Sequence, residues 1–276
     1  MSFLKTLKML FFKKFSKKSL SICERETVLP LYYPKRGIGE LPKKIYEKVL
    51  QNGGKILLNC DITRITKAND KWEIEYKNNN ELKNIQCDYL VSTIPIFDLI
   101  EYFQNIKSEE IIEALNKLGY LSLIVVNIII KNNRTFDWSY LYTINRIYKR
   151  ISNIKDFSPF ACSSNENILA LEITCNFNDN IWNMSDNEIF EKCKADLIID
   201  RFINENEIID FNIIRIKNVY PIFRKEYKDN LKKVLSYINN IGNNQIFLSG
   251  RIGSYKYKDM DECIEEAEIL VNKIKE

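Results

Sequence analysis

Histidine is absent from the 276-residue sequence. Its absence excludes Ser-His-Asp and Cys-His catalysis, histidine-ligated zinc and acid–base chemistry by imidazole. An enzyme with this sequence would carry its chemistry on a cofactor, on carboxylates, or on Lys, Tyr or Cys side chains.

Glycine and proline are scarce, with 8 and 6 copies. No complete GxGxxG dinucleotide fingerprint occurs at any position of the sequence. The sequence therefore lacks the motif in which a glycine-rich turn and a helix N-terminus hold a dinucleotide pyrophosphate.

Paired cysteines are missing, although cysteine itself is present. The cysteines are odd in number, widely spaced and without a CxxC motif: Cys23, Cys60, Cys87, Cys162, Cys175, Cys193 and Cys263. This pattern is typical of buried thiols in a reducing cytosol. It predicts no disulfide framework and no metal site.

Long apolar runs and a strong charge excess are also missing. The longest apolar stretch, Leu121 to Ile130, is interrupted by Asn127 and is shorter than the ~18 residues of a membrane span. The formal net charge of +4 is too small to indicate nucleic-acid binding by the whole chain. With 45% hydrophobic and 28% charged residues, the composition is typical of a globular protein.

Residues 1–20 combine apolar side chains with regularly spaced lysines. Two interpretations stay open: a basic amphipathic helix on an anionic membrane surface, or a helix packed on its own domain with a solvated lysine face. The lysines run through the apolar part, so the segment does not resemble a cleaved signal peptide. We expect a cytoplasmic protein, which under the first interpretation is peripheral at the inner membrane face.

Residues 30–98 follow the pattern of an α/β layer that carries a β excursion. A helix is predicted over 40–51, ended by Gly53-Gly54. KILLNCDITRI, residues 55–65, predicts a strand and its continuation, and WEIEY and NIQC predict a hairpin. DYLVSTIP predicts a strand that ends at Pro95, before a further helix.

Residues 99–240 show a different pattern, with helices near 108–118, 186–203 and 226–239 and strands near 120–131, 139–144, 168–175 and 211–219. These strands do not alternate regularly with helices, so we predict a mixed, mostly antiparallel α+β insert. After residue 240 the α/β pattern returns. IFLSG predicts a strand, and the last helix stacks its apolar residues at three- and four-residue spacing: Met260, Ile264, Ala267, Val271 and Ile274.

The loop Phe247–Asp261, FLSGRIGSYKYKDMD, carries the most chemistry. It lies between a strand and a helix N-terminus, where free backbone N–H groups suit a phosphate or an electron-rich ring edge. Arg251 is suited to a phosphate or a flat ring system, and Tyr255 and Tyr257 are expected to face the same side of an extended loop. A plain strand–turn–helix connector with Asp259 as N-cap is an equally good interpretation.

Taken together, these segments resemble the FAD-dependent amine oxidase and protoporphyrinogen oxidase-like superfamily, including the UDP-galactopyranose mutases. The resemblance rests on YPKRGIGELPKKIYEKVLQNGGKILLNCDITRI, DYLVSTIPI and GRIGSYKYKDMD, and it covers roughly residues 30–276. It implies an α/β fold: the C-terminal part of a discontinuous, Rossmann-like FAD-binding domain of the glutathione-reductase type, with an inserted substrate domain. The corresponding division is a lead segment 1–29, a partial FAD-binding domain 30–98 with 241–276, and a substrate domain 99–240.

The resemblance also implies roles for particular residues. Ile62 would lie at the adenine end of FAD, and Thr93 and Pro95 would line the FAD cleft. Around the isoalloxazine and ribityl chain it places four residues: Gly250, Arg251, Met260 and Asp261. For a nucleotide-sugar substrate the candidate contacts are Arg150, Tyr220, Arg251 and Tyr255, while ordinary packing is the alternative for Arg150 and Tyr220.

The superfamily begins with a βαβ unit whose GxGxxG holds the ADP pyrophosphate, and this sequence has no such unit. Two hypotheses about function follow. The first is a flavin-dependent oxidoreductase, or a mutase-like isomerase, acting in cell-envelope polysaccharide or nucleotide-sugar metabolism through an incomplete chain. The second is a non-catalytic remnant or a subunit of a split flavoprotein, which binds FAD only with a partner chain that carries the GxGxxG unit.

Overall fold

A computed structural model describes residues 32–103, 108–132 and 134–275. The lead segment 1–29, its amphipathic stretch 1–20 and Cys23 lie outside these residues. The described hydrophobic core forms two clusters. The first cluster comes from residues between 62 and 120 and between 227 and 255, and the second from residues between 124 and 213. The division into domains stays a prediction.

The described helices and strands alternate irregularly along the chain. The helices are α1 (Glu40–Gln51), α2 (Ile96–Tyr102), α3 (Glu109–Lys117), α4 (Ile154–Phe157), α5 (Asp186–Ile199), α6 (Tyr227–Gly242), α7 (Gly250–Gly253) and α8 (Met260–Lys275), with a 3-10 turn at Glu205–Glu207. The strands are β1 (Cys60–Ala68), β2 (Lys71–Asn78), β3 (Glu81–Cys87), β4 (Leu90–Ser92), β5 (Tyr120–Lys131), β6 (Tyr140–Tyr142), β7 (Arg150–Asn153), β8 (Glu166–Cys175), β9 (Ile208–Pro221) and β10 (Ile246–Leu248).

Strands β1, β2 and β3 form an antiparallel sheet in that order. The predicted hairpin is confirmed, and its turn residues Asn79 and Asn80 have φ values of 51° and 64°, which asparagine tolerates. The strand predicted over 55–65 begins only at Cys60. Asn59 has a φ of 56°, and this left-handed residue interrupts the extended chain before the strand.

Strands β4 and β10 form a two-stranded parallel sheet, with Ile246 opposite Leu90 and Leu248 opposite Ser92. Both strands were predicted. The strand β4 ends before Pro95, and α2 begins at Ile96, as the sequence indicates. The core of the first cluster packs around this pair and includes α3 and α6.

The second cluster is organised by a five-stranded sheet with the order β6-β7-β8-β5-β9, in which every pair is antiparallel. This confirms the predicted mixed, mostly antiparallel region. Burial alternates along β8, because one face packs on the core and the other face stays partly accessible. The core face contacts α5, which begins at a capping box formed by Ser185 and Glu188.

The predicted last helix is confirmed as α8, but its apolar stripe is not buried. Helix α8 contains no buried residue, and its predicted apolar stripe includes Met260, Ile264 and Val271 at 50%, 50% and 49% exposure. Helix α1 also buries none of its residues. Periodicity predicted both helices correctly, but periodicity does not show what covers an apolar stripe.

The prediction of buried thiols is confirmed for only some of the described cysteines. Among the described cysteines, which are all free, Cys175 and Cys193 are buried, and the other four are half-buried: Cys60, Cys87, Cys162 and Cys263. None of the helices in the described part of the chain is long and apolar enough to cross a membrane.

Candidate functional site at the ends of the parallel strands

The candidate site begins where β4 and β10 end. Because these strands are parallel, the loops after their carboxyl ends meet at one edge, the usual ligand position in open α/β sheets. The Ser249 N–H donates to the Ser92 carbonyl at 3.0 Å. Gly253 packs so closely that an added Cβ would lie 2.7 Å from the Thr93 Cα. The structure therefore brings the Thr93–Pro95 turn and the Gly250–Gly253 segment into direct contact.

The loop after β10 is not fully extended, in contrast to the prediction. Residues Gly250–Gly253 form the single-turn helix α7, so the chain folds back at once after the strand. Gly250 has a φ of +76°, and no atom lies within 4 Å of the position that a Cβ would take. A glycine is required there by the backbone conformation, and the space beside it is open.

A carboxylate from α8 binds the backbone at the start of this loop. Glu266 accepts hydrogen bonds from the Gly250 N–H at 2.7 Å and from the Ser249 hydroxyl at 3.2 Å, and it forms an ion pair with Lys258. Both charged side chains are largely buried, with 21% exposure for Glu266 and 15% for Lys258. This contact fixes the loop against α8.

Acid is expected to weaken that contact. Burial acts to raise the pKa of Glu266, but Lys258 and the hydrogen bonds from Gly250 and Ser249 lower it by more, so the pKa lies below its ordinary value of 4.5. The folded pKa is therefore below the unfolded one. The contact adds stability above pH 4.5 and loses it as the pH falls through the folded pKa.

We expect Glu266→Gln to lower the free energy of unfolding by about 1 kcal/mol at neutral pH and to flatten its decline below the ordinary carboxyl pKa. Thermal unfolding followed by circular dichroism across the acid range measures both effects. Glu268→Gln, an exposed change on the same helix, serves as the control. Parallel pH profiles for Glu266→Gln and the unmodified protein would contradict this account.

The guanidinium group of Arg251 lies beside two tyrosine rings. Its Cζ is 5.3 Å from the ring centroid of Tyr220 and 4.7 Å from that of Tyr257. The two rings are stacked at 14° with centroids 6.1 Å apart. Arg251 Nε donates to the Lys258 carbonyl at 2.6 Å, and Nη2 contacts the Asp259 carboxylate at 3.2 Å. The positive charge is thus held against aromatic faces.

A second arginine lies on the accessible face of the five-stranded sheet. Arg150 forms an ion pair with Glu172, which lies directly opposite on β8, and its Cζ is 5.9 Å from the Tyr140 ring centroid. The Nε of Arg150 is buried and has no hydrogen-bond partner among the described residues. This ion pair is partly desolvated. The same face of the sheet carries Ile214, which lies in the same row across the strands and is 47% exposed.

Tyr220 lies beside Arg251 and is partly buried. Burial raises the pKa of the Tyr220 hydroxyl, the Glu172 carboxylate adds to this shift, and Arg150 and Arg251 oppose it. The structure therefore brings two of the four predicted substrate contacts, Tyr220 and Arg251, into direct contact. Arg150 lies on another strand of the sheet that contains Tyr220.

Tyr255, the fourth predicted contact, lies in different surroundings. The expectation that Tyr255 and Tyr257 face the same side is wrong, because Tyr255 is 1% exposed and Tyr257 is 50% exposed. Tyr255 has a φ of 51°, and this left-handed residue breaks the alternation of an extended chain. A contact between Tyr255 and a substrate stays a prediction.

The remaining predicted residues are more scattered. Ile62 lies on β1, opposite Tyr76, and packs against the first cluster. Met260 and Asp261 begin α8 and are exposed to solvent. Their assignments to FAD stay predictions.

A comparison with known families identifies the family of the chain. A model of the family described as flavin containing amine oxidoreductase matches residues 10–198 of the chain. The chain belongs to this amine oxidoreductase family. A comparison with curated proteins finds no match.

Solved structures show the same fold. A reduced UDP-galactopyranose mutase aligns with a TM-score of 0.69 at 18% identity, over 82% of this chain and 48% of its own. A protein described as a protoporphyrinogen oxidase from Exiguobacterium sp. 255-15 aligns with a TM-score of 0.67 at 16% identity, over 86% of this chain and 51% of its own. A fatty acid isomerase from P. acnes, described as producing CLA, aligns with a TM-score of 0.54 at 19% identity, over 78% and 47%. The chain spans about half the length of these proteins.

The structure adds two residues to the candidate site that the sequence did not single out. Glu172 binds Arg150, and Glu266 binds the Gly250 loop. Glu172 had a usable signal, since it is a charge within the alternating apolar strand LALEITC. Glu266 had none, because it lies eight positions after Lys258 and only the fold of the loop brings the two together.

Proposed function

We propose that this chain forms part of an FAD-dependent oxidoreductase of the amine oxidase type. In this proposal it supplies the flavin-ring end of the cofactor site and the sheet face on which a substrate lies. The single observation that carries the proposal is the meeting of the Thr93–Pro95 turn and the Gly250 loop at the ends of two parallel strands. The sequence lacks histidine, and flavin chemistry does not require a protein imidazole.

The residues present fit one end of FAD. Open space above Gly250 lets a flat ring or a ribityl chain approach the backbone, and Arg251 lies in the same loop. Thr93 and Pro95 would bound the opposite side of this cleft. The cofactor itself would supply the redox or covalent chemistry, and these residues would orient it.

The pyrophosphate end of FAD has no comparable cradle in this sequence, because no GxGxxG is present. We therefore propose that tight binding needs a further polypeptide unit with such a motif, either on another chain or in a longer form of this one. The uncovered stripes of α1 and α8 and the 44% exposure of Val91 in β4 support this proposal. A two-stranded parallel sheet is ordinarily covered on both faces and extended by further strands.

For the substrate we propose a nucleotide sugar. Two arginines and the paired Tyr220 and Tyr257 rings suit an anionic diphosphate joined to flat or apolar groups. The fold similarity to a UDP-galactopyranose mutase supports this substrate class. The cytoplasmic location and a membrane contact through residues 1–20 belong to the same proposal.

Flavin binding by the purified full chain tests the proposed function. We expect FAD and FMN to bind with quenching of flavin fluorescence, and ADP to compete only weakly, because this chain has no cradle for the pyrophosphate and its predicted adenine contact, Ile62, is a single apolar side chain. Arg251→Met should weaken flavin binding about tenfold, since one charged contact is worth roughly 1.5 kcal/mol. Arg64→Met, on the three-stranded sheet, should bind as the unmodified chain does.

The second hypothesis, a non-catalytic subunit, predicts a different result. In that case the chain binds FAD only after a GxGxxG-bearing unit is added, and FMN alone does not bind. Competition by ADP that equals competition by FMN would overturn the proposed division of the cofactor.

A further inference from the structure

The chain passes twice between the two hydrophobic clusters. It leaves the first cluster at Leu118–Tyr120, where β5 begins, and it returns at Pro221–Phe223, where β9 ends. These two crossings lie side by side, because the Ile222 N–H donates to the Gly119 carbonyl at 2.8 Å. Their conformation therefore sets how the covalent chain joins the five-stranded sheet to the first cluster.

The hydroxyl of Tyr255 binds both crossings at once. It accepts a hydrogen bond from the Gly119 N–H at 3.0 Å. Its own O–H lies within donating distance of the Gly119 carbonyl, at 2.9 Å, and of the Ile222 carbonyl, at 3.0 Å. One side-chain oxygen thus contacts the outgoing and the returning segment, and these contacts span 136 and 33 residues of sequence.

Tyr120 makes a second connection to the same loop. Its hydroxyl donates to the Ile252 carbonyl at 2.9 Å and accepts from the Ile96 N–H at 3.4 Å. The Tyr120 and Tyr255 rings pack edge to face with centroids 5.1 Å apart. The loop after β10 is therefore held to the start of β5 through two tyrosines.

The backbone at Tyr255 is shaped for this contact. Its φ of 51° is a conformation that tyrosine rarely adopts, and it turns the side chain inward while the next residues continue outward. Tyr257 then reaches the Tyr220 ring on β9, and Arg251 lies beside both rings. The same loop thus carries the buried contact and the accessible one.

We propose that Tyr255 is a positioning residue that locks the two crossings and thereby sets the loop residues Arg251 and Tyr257 against Tyr220 on the sheet. It acts through its hydroxyl bonds to the backbone, since the ring is 1% exposed and the oxygen already has its partners. The proposal rests on the proposed function only in naming the region as the substrate site. Its test uses neither flavin nor substrate, so the two proposals fail separately.

Tyr255→Phe removes the hydroxyl and keeps the ring. We expect the amide of Gly119 to exchange hydrogen about tenfold faster, because its acceptor is gone. We also expect trypsin to cut about tenfold faster after Lys117 and Arg224, which flank the crossings, while the rate at Lys192 on α5 stays unchanged. Hydrogen exchange and timed proteolysis of the full chain, both read by mass spectrometry, measure these rates.

Tyr148→Phe is the matched control. Tyr148 is fully buried in the second cluster, and its hydroxyl has no hydrogen-bond partner among the described residues, so its removal should change none of these rates. Equal acceleration at Lys117, Arg224 and Lys192 in Tyr255→Phe would indicate general destabilisation and would overturn the proposal. Unchanged rates, which a role in substrate contact alone predicts, would also overturn it.

A measurement on the unmodified chain covers the case in which Tyr255→Phe does not fold. The Gly119 amide should then be protected, whereas the amide of the exposed Lys225 should exchange freely. Exchange at Gly119 as fast as at Lys225 would show that the hydroxyl does not hold this crossing.

Discussion

Gly253→Ala is expected to lower the free energy of unfolding by about 1–3 kcal/mol, the usual range for an overpacked interior. An added Cβ would lie 2.6 Å from the Ser92 carbonyl oxygen and 2.7 Å from the Thr93 Cα. Both are backbone atoms at or directly after the end of β4, so relief requires α7 to move away from this strand end. Thermal unfolding measures the loss, and flavin titration should show weaker binding together with it.

Gly39→Ala is the control for this change. Gly39 precedes α1 with a φ of −62° and has no atom within 4 Å of its Cβ position, so alanine fits there without strain. We expect its stability to stay within about 0.5 kcal/mol of the unmodified chain. Equal losses at Gly253 and Gly39 would show that the close approach of the two loops is not a feature of the folded protein.

Leu171→Ala is expected to lower the free energy of unfolding by about 2–5 kcal/mol. Leu171 is fully buried on β8, opposite Val126 of β5 and Ile151 of β7. Its removal leaves a cavity at the centre of the sheet, directly behind the strand residues that carry the Arg150–Glu172 pair. Urea unfolding measures the change, and loss of native structure before any denaturant is added would exceed the expected range.

Ile216→Ala is the control for Leu171→Ala. It shows whether the loss of stability comes from lost burial or from the lower strand propensity of alanine. Ile216 lies on β9 of the same sheet but is 44% exposed, so little apolar surface returns to water on truncation. We expect a loss of about 0.5 kcal/mol or less. A loss at Ile216 as large as that at Leu171 would mean that the accessible face of the sheet is covered in solution.

Much of the secondary structure was predictable, because periodicity reports which side of an element is apolar. The α1 helix, the β2–β3 hairpin and β5 begin and end close to their predicted limits. The short strand β7 was not predicted, because four residues give too little pattern to separate a strand from a loop. The late start of β1 was not predicted either, because a hydrophobic pattern does not reveal a single left-handed asparagine.

The sequence predicted which loops form the candidate site, but it did not predict which side chains meet there. The order of strand, glycine loop and helix indicated that residues 247–261 hold a ligand or simply connect two elements, and the resemblance added Thr93 and Pro95. Which side chains meet there depends on how strands distant in sequence pair. Glu266 reaches Gly250 only because α8 folds back along the loop, and Tyr220 reaches Arg251 only because β9 ends beside it.

The sequence by itself determined the chemistry that is excluded, the order of most elements and the family. The absence of histidine is a property of composition, whereas the absence of GxGxxG and the family match are properties of local patterns along the chain. Only the tertiary structure decided that Tyr255 is buried between two chain crossings while Tyr257 stays accessible. These two residues, two positions apart on one loop, differ in exposure because a left-handed backbone at Tyr255 is held by partners 136 and 33 residues away.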